Sequence, residues 1–469
     1  MPNLDRETLR DLFRPVVGEQ RMLSDETSLV AYATDETHDQ FHLPQLILKP
    51  EKVSQISRIL ELCNQRGIPV VPRGAGSGVS GGALAHRGGV ILCLADLNQI
   101  LEINQQNHTV AVEAGAITAH VQQAVMAKGL WLPPDPGSKD WCQIGGNLAV
   151  AAAGPKSLKY GAFRDYVLNL EVVLANGEVF WTGADVRKSA AGYNLTQLIL
   201  GSEGTLAVIT KAVLRLITPP EHSLLLRLAF PSEAAAIKTM GHIFDARFQP
   251  SEMEFLGWEG LQLTQPFCRT QPTPGSKAMV WIGFDGPQQD VLFASADQVA
   301  RLAERAGVLE VLVAENDAQQ QQLWEYRHQV GQAIIQTTTF RDVDLCVPRD
   351  CLRDILHKVQ NIADCYGFRA VIFGHAGDGN LHVHVCKDAM TNDAWERVTR
   401  QAIPEIYAHV HSMGGTLTGE HGIGLVLPEI LDQTLARQRT QLARQIKYAF
   451  DPNHILNPGK VLRDATGMP

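Results

Sequence analysis

The chain of 469 residues carries 41 basic and 50 acidic residues, a net charge of −9, and is 45% hydrophobic and 19% charged with 40 Gly and 24 Pro. This is globular usage, which excludes a collagen-like, coiled-coil or disordered chain, and at about 150 residues per domain the length suggests roughly two or three domains. No run of five like charges and no Lys/Arg-rich stripe occurs, which argues against nucleic acid as a partner.

The N-terminal stretch carries Asp5, Arg6 and Glu7 where a signal peptide needs an unbroken apolar segment, and no later run reaches about 18 apolar residues. The sequence therefore reads as cytoplasmic, without a transmembrane segment, and able to meet the inner face of a membrane only peripherally. Cys63, Cys93, Cys142, Cys268, Cys346, Cys351, Cys365 and Cys386 are scattered singly, with no Cys-x-x-Cys pair. That pattern argues against a zinc ribbon, an iron–sulfur cluster or a disulfide scaffold and for reduced thiols.

Along the chain, Val53, Ile56, Ile59, Leu60 and Cys63 recur at helical spacing, Gly67 stops the helix, and 68–71 read as a strand. The strand runs into 72–82, which hold five glycines in eleven residues, and a further strand follows at 90–94. Residues 167–174 are a β-rich run, and Asn176-Gly177 is a hairpin signal before Val179, Phe180 and Trp181. Gly201-Ser202-Glu203-Gly204-Thr205 precedes a strand at 206–210, and Pro219-Pro220 marks a domain boundary. Beyond it, strands at 224–230, 279–284 and 309–313 alternate with helices at 232–244, 291–306 and 318–335, the last containing the polar run Gln319 to Gln322. This alternation predicts an α+β domain whose sheet is covered by helices on one side.

Chemistry is concentrated in two regions. The 73–82 loop lacks the Lys-Ser/Thr of a Walker loop, and its G-x-G-x-G spacing is not a Rossmann fingerprint. What remains is a turn of successive amides able to hold a pyrophosphate. Alone, such a loop is as well read as a flexible connection. Pro134-Asp135-Pro136-Gly137-Ser138 and Ile144-Gly145-Gly146-Asn147 make three glycine segments in one half, which points to a long, dinucleotide-like ligand.

In the second region, Gly374-His375-Ala376-Gly377-Asp378-Gly379-Asn380-Leu381-His382-Val383-His384 sets two β-rich runs around an Asp-Gly turn. His375 and His382 then face each other across a hairpin, and His382 and His384 share a strand face. Two imidazoles and a carboxylate form a metal set with open positions, and Glu420 in Gly419-Glu420-His421-Gly422-Ile423-Gly424 is the candidate carboxylate. A lone histidine of this kind is more often a hydrogen-bonded, half-buried side chain. Four histidines with a glutamate in glycine-flanked loops favour the metal. Arg327, on a helix, reads either as a snorkelling or ion-paired side chain or as a clamp for a substrate carboxylate. Asn457-Pro458-Gly459-Lys460 reads as a helix stop unless the tail folds back on a cofactor.

Taken together in order, Pro-Arg-Gly-Ala-Gly-Ser-Gly (72–78), Pro-Asp-Pro-Gly-Ser (134–138), Ile-Gly-Gly-Asn (144–147), Leu-Lys-Tyr-Gly (158–161), Gly-Ser-Glu-Gly-Thr-Leu (201–206), His-Ala-Gly-Asp-Gly-Asn-Leu-His (375–382), Gly-Glu-His-Gly-Ile-Gly (419–424) and Asn-Pro-Gly-Lys (457–460) resemble the FAD-linked D-2-hydroxyacid dehydrogenases. That family includes D-lactate dehydrogenases, the catalytic subunit of glycolate oxidase and D-2-hydroxyglutarate dehydrogenase, within the vanillyl-alcohol-oxidase flavoprotein superfamily. The resemblance implies an α+β architecture: a two-subdomain FAD-binding domain of the vanillyl-alcohol-oxidase type over 1–219, a cap domain with an antiparallel sheet over 220–415, and a C-terminal helical segment, 416–469, that returns to the FAD domain.

By the same resemblance, Arg73, Gly74, Ala75, Gly76, Ser77 and Gly78 hold the FAD pyrophosphate through their backbone, and Gly137, Ser138, Gly145, Gly146, Asn147, Glu203, Gly204, Ile209 and Asn457 line the rest of the cofactor. Relatives with covalent flavin often carry a histidine in the first glycine loop. None is present here, which implies non-covalent FAD. His375, His382 and Glu420 are implied ligands of a divalent metal, zinc or manganese, with Asn380 and His384 nearby. His421 is the implied general base beside the substrate, and Arg327 the implied carboxylate clamp.

The implied reaction oxidises a small D-2-hydroxy acid, D-lactate first, to the 2-oxo acid. Electrons then pass to an external acceptor such as a quinone, a cytochrome or an electron-transfer flavoprotein. A homodimer is compatible with this reading. The 2-hydroxyglutarate enzymes carry a lysine shortly before the strand that corresponds to Asp344-Leu345-Cys346-Val347-Pro348, whereas here the stretch is Thr339-Phe340-Arg341-Asp342-Val343, so an acid occupies or adjoins that place, although a one-residue shift would let Arg341 replace the lysine. D-2-hydroxyglutarate dehydrogenase and a glycolate oxidase subunit acting within a larger complex are the alternatives inside the family. A zinc hydrolase is the alternative outside it, and it leaves the glycine loops unexplained.

Overall fold

The computed structural model describes residues 4–37 and 40–463. Met1–Ala152, Ala162–Pro219 and Glu420–Pro469 form one compact unit, and Ala153–Gly161 and Pro220–Gly419 form another.

The first unit contains two sheets. In one, Met22–Leu23, Leu46–Leu48, Val90–Cys93 and Val70–Arg73 lie in that order. The last three strands are parallel, and the first is an antiparallel edge. Leu46–Leu48 and Val90–Cys93 are apolar at every position and buried throughout, as parallel strands covered on both faces require. Helix Val53–Arg66 lays Ile56, Ile59, Leu60 and Cys63 into the core with Leu48, Val70, Val90 and Leu92. Gly67, at φ +63°, closes the helix in the left-handed conformation. The helix and the strand that follows it are those the apolar spacing predicts.

The second sheet is antiparallel, in the order Ile100–Asn104, Thr109–Glu113, Val208–Arg215, Val167–Val173, Val179–Trp181. Gly177 takes φ +89° in the Asn176-Gly177 turn, and Val173 pairs with Val179 across it. After helix Arg437–Phe450 the chain lies against the first sheet: the amide of Val70 donates to the Ile455 carbonyl at 2.8 Å, and that of Asn457 to the Val70 carbonyl at 2.8 Å.

The second unit is built on a seven-stranded antiparallel sheet, in the order Glu310–Ala314, His222–Phe230, Ala278–Gly286, Glu252–Leu256, Arg369–Gly374, Asn380–Cys386, Phe340–Cys346. Both faces are covered, which corrects the one-sided cover predicted from the alternation. Leu323, Tyr326 and Val330 of helix Asp317–Thr337 and Leu261 of helix Trp258–Thr264 pack on the face that carries Leu225, Leu256, Met279, Trp281 and Phe373. Helices Glu233–Asp245, Gln289–Arg305, Leu352–Tyr366 and Asn392–Ser412 also pack on this sheet. Every residue of Ala278–Gly286 except the last is buried, the unbroken burial of a strand covered on both faces.

Unit boundaries also differ from the predicted 1–219, 220–415 and 416–469. Residues 153–161 belong with the second unit, where Lys156 pairs with Glu252 at 2.6 Å and the Tyr160 hydroxyl donates to Asp285 at 2.8 Å. The second unit extends to Gly419, whose amide donates to Asp344 at 2.9 Å.

Candidate active site

In the first unit, strand Val70–Arg73 leads straight into the glycine loop. Among the described residues, the amides of 74–79 donate no hydrogen bond within the chain, although the loop is largely half-buried. Such a row of unspent donors is a nest for an anion. The Arg73 side chain is not available to a ligand. It is buried, donates to the carbonyls of Thr34 at 2.9 Å and Tyr32 at 3.2 Å, and lies over the Tyr32 ring. Gly76 at φ +81° passes so close above it that a Cβ would sit 2.4 Å from the guanidinium. A buried arginine thus braces the loop from within and leaves the backbone amides of Gly74, Ala75, Gly76, Ser77 and Gly78 without a donor role in the chain.

Gln143, which sequence reasoning missed, keeps a buried amide oxygen with no hydrogen-bond partner, and a Cβ on Gly74 would lie 2.8 Å from that oxygen. Nearby positions divide between access and packing. Gly137 and Gly146 have open space where a Cβ would project. The Ser138 carbonyl caps the Cys142 amide at 2.8 Å, the Gly145 amide donates to Ala114 at 2.7 Å, and Asn147 donates to Thr118 Oγ1 at 2.7 Å. Gly204 lies against Pro72, and Ile209 is in the apolar core. Asn457 ties the tail to the glycine loop by donating to the carbonyls of Gly82 at 3.0 Å and Glu203 at 2.7 Å.

Glu203 is buried at φ +53°, and its carboxylate accepts the amides of Ile423 and Gly424, each at 2.8 Å. Burial pushes this carboxyl up to about 7 against the pull of the two amides, and burial pushes the neighbouring Lys460 ammonium down to about 7. Ser80 Oγ donates to the His421 carbonyl at 2.9 Å, and the Leu425 amide donates to the Ser80 carbonyl at 2.8 Å. His421 therefore sits on a turn gripped at both ends. Its Nε2 lies 3.7 Å from Glu420 Oε1.

In the second unit, strands Arg369–Gly374 and Asn380–Cys386 form the predicted hairpin, with Phe373 opposite His382. The rings of His375 and His382 meet edge to face with centroids 5.5 Å apart. The partner of His375 is a residue the sequence did not reveal. Glu254, fully buried, accepts His375 Nδ1–H at 2.6 Å on one oxygen and Arg327 Nε–H at 2.7 Å on the other. Burial would raise this carboxyl, but the Arg327 guanidinium and the hydrogen bonds from His375 and Arg327 outweigh it and hold it below the usual glutamate range. Because the carboxylate can only accept, His375 carries its hydrogen on Nδ1 and keeps its lone pair on Nε2, the tautomer a metal ligand needs.

Arg327 lies with its guanidinium 5.1 Å above the Phe373 ring, and Glu254 leaves its two terminal nitrogens uncommitted. Asp344 organises the other side: it accepts from Asn380 Nδ2 at 2.6 Å, Thr418 Oγ1 at 2.7 Å and the Gly419 amide at 2.9 Å, and lies 3.7 Å from His382 Nδ1. Glu420 and His421 follow Gly419 directly in the chain. His384 stacks on Phe340 and has its Nε2 3.2 Å from Asp342.

The strand register also settles where Arg341 stands. Asp342 and Asp344 are opposite His384 and His382, whereas Arg341 is opposite Val385. Alternation puts Arg341 on the sheet face away from the two histidines. Glu254 and Asp344 share one sequence signal, each an acid two residues after another acid in its strand and each buried in the fold.

A family model described as "FAD linked oxidases, C-terminal domain" matches residues 219–461, and one described as "FAD binding domain" matches 44–183. The chain belongs to the FAD-linked oxidases. As a member of that family it is 36% identical to the glycolate oxidase subunit GlcD of Bacillus subtilis (strain 168) over 95% of each chain. It is 32% identical to a D-lactate dehydrogenase of Anaerostipes hadrus over 96% of each. A solved structure of p-cresol methylhydroxylase superposes with a TM-score of 0.78 over 98% of each chain at 18% identity. That likeness shows the fold of this FAD-linked oxidase, the vanillyl-alcohol-oxidase type implied by its motifs. None of its described helices is long and apolar enough to cross a membrane.

Proposed function

We propose that the chain oxidises a small D-2-hydroxy acid, D-lactate first, to the 2-oxo acid with non-covalent FAD and a divalent metal, and hands the electrons to an external acceptor. The observation that carries this reading is the arrangement on one sheet face of His375 and His382 beside Arg327, with Glu254 fixing the first and the last. The unspent amides of 74–79 suit the pyrophosphate of FAD, and no histidine stands in that loop to bond its flavin.

FAD, when bound, supplies the acceptor for the α-hydrogen, which leaves the substrate as hydride. His375, His382 and Glu420 would hold a divalent ion, which would supply Lewis acidity toward an α-hydroxyl whose own pKa is far above neutrality. Zinc and manganese both suit two imidazoles and a carboxylate. The protein's own groups do the rest. Arg327 orients the substrate carboxylate through its terminal nitrogens, and the Phe373 ring beneath packs against the guanidinium. His421, on its gripped turn, takes the hydroxyl proton as general base.

A second substrate carboxylate would need its own cation to offset desolvation. The orientation of Arg341 away from the histidines supports preference for an acid without one. The relatives named for glycolate and for D-lactate agree with a small substrate. The reoxidant is a quinone, a cytochrome or an electron-transfer flavoprotein, met in the cytoplasm or at the inner face of a membrane. The deciding experiment compares kcat/KM for D-lactate, L-lactate, glycolate and D-2-hydroxyglutarate in a dye-coupled assay. D-lactate or glycolate should lead, and a clear preference for D-2-hydroxyglutarate would refute the substrate assignment.

A further inference from the structure

We infer that Glu254 is a positioning residue that couples the metal ligand His375 to the substrate clamp Arg327. The inference rests on the proposed function for what those two groups hold, and on the structure for how they are joined. Glu254 is fully buried, and each oxygen has one donor, His375 Nδ1 at 2.6 Å and Arg327 Nε at 2.7 Å. The two donors come from distant segments, the hairpin after strand Arg369–Gly374 and the helix Asp317–Thr337. One carboxylate is therefore the link that sets the imidazole and the guanidinium to each other.

The strand that carries Glu254 grips the same hairpin a second time, because the Met253 carbonyl accepts the Gly377 amide at 2.9 Å. Gly377 must be glycine for this approach, since a Cβ would lie 2.9 Å from Met253 Cβ and 2.6 Å from Leu158. Phe373 closes the arrangement, with its ring under the Arg327 guanidinium and 5.2 Å from the ring of His382. A rotation of Glu254 would move the metal-facing nitrogen of His375 and the terminal nitrogens of Arg327 together.

Chemistry dictates how the link fails. A carboxylate accepts on both oxygens, whereas a glutamine has one accepting oxygen and one donating nitrogen. In Glu254→Gln the amide nitrogen must face either Arg327 Nε–H, which is then repelled, or His375 Nδ1. In the second case His375 must move its hydrogen to Nε2 and loses the lone pair the metal needs. An ion pair that served only to staple helix to sheet would lower thermal stability and leave metal affinity and KM of the folded protein alone.

The test compares wild type, Glu254→Gln and the charge-retaining Glu254→Asp as full-length holoprotein. FAD content is read by absorbance, the zinc dissociation constant by competition with a chromophoric chelator, and KM and kcat for D-lactate at saturating zinc. Glu254→Gln should keep full FAD, bind zinc about 10- to 100-fold more weakly and show a KM raised about tenfold, with Glu254→Asp between it and wild type. Zinc affinity and KM both within twofold of wild type in a folded, FAD-loaded Glu254→Gln protein would overturn the inference. If that variant does not fold, Glu254→Asp carries the same comparison, and wild-type values there overturn it equally. A wild-type protein that binds no zinc would instead refute the proposed metal site itself, and with it the coupling.

Discussion

The carboxylate of Glu203 accepts the amide hydrogen of Ile423 at 2.8 Å across 220 residues of sequence, and its second oxygen accepts that of Gly424. This buried acid fixes the turn that presents His421, so the Gly-Ser-Glu-Gly-Thr segment serves the proposed base through the backbone rather than by touching substrate. Gly422 at φ +86° and Gly424 at φ +48° let the turn close on Glu203 and Ser80.

Gly424→Ala places a Cβ 1.9 Å from the Ser80 carbonyl oxygen. The turn must open, at a cost of about 2 kcal/mol or more in strain alone. The variant should unfold at lower temperature and lose most of its turnover with D-lactate, with FAD still bound. Differential scanning fluorimetry and a dye-coupled assay on the same preparation check both effects, and unchanged turnover would separate the turn from the chemistry.

The pH dependence has a defined sign. Burial holds Glu203 at about 7 in the folded chain against 4.5 for an ordinary glutamate, so its proton is bound more tightly when folded. Its contribution is complete below pH 4.5 and is lost as pH rises through 7, a change on the order of 3 kcal/mol. Lys460, pushed down to about 7 from 10.5, acts with opposite sign above pH 7, so the comparison belongs between pH 5 and 7. Over that interval the stability of wild type should fall relative to Glu203→Gln in denaturant titrations. A difference that does not change with pH would refute the assignment.

Gly76→Ala puts a Cβ 2.4 Å from the Arg73 guanidinium at a backbone angle of +81° and so distorts the row of amides proposed for the pyrophosphate. FAD affinity, measured by quenching of flavin fluorescence, should drop about tenfold or more. In wild type, acid precipitation should leave the yellow colour in the supernatant. Flavin that stays with the pellet would contradict non-covalent binding.

Much of this was legible in the sequence because it depends on local rules. The apolar stripe of Val53–Arg66, the Asn176-Gly177 hairpin and the facing of His375 and His382 follow from spacing within about a dozen residues. The partners that tune the site were not legible. Glu254 precedes His375 by 121 residues, and Glu203 precedes Ile423 by 220, so only the fold brings them together. The grouping of 153–161 with the second unit was not legible for a similar reason: it rests on pairs such as Lys156 with Glu252, which no local pattern announces. Arg341 was ambiguous until the pairing of Asp342 with His384 fixed its face.

The most direct measurement is anaerobic mixing of the purified, FAD-loaded protein with D-lactate while the flavin absorbance is followed, before and after removal of divalent metal by a chelator. The flavin band should bleach with D-lactate and stay unchanged with L-lactate, and after chelation bleaching should cease while FAD remains bound, with the His382→Ala protein behaving like the chelated one. Full bleaching in the metal-free protein or in His382→Ala, or no bleaching by any small D-2-hydroxy acid, would contradict the proposed chemistry.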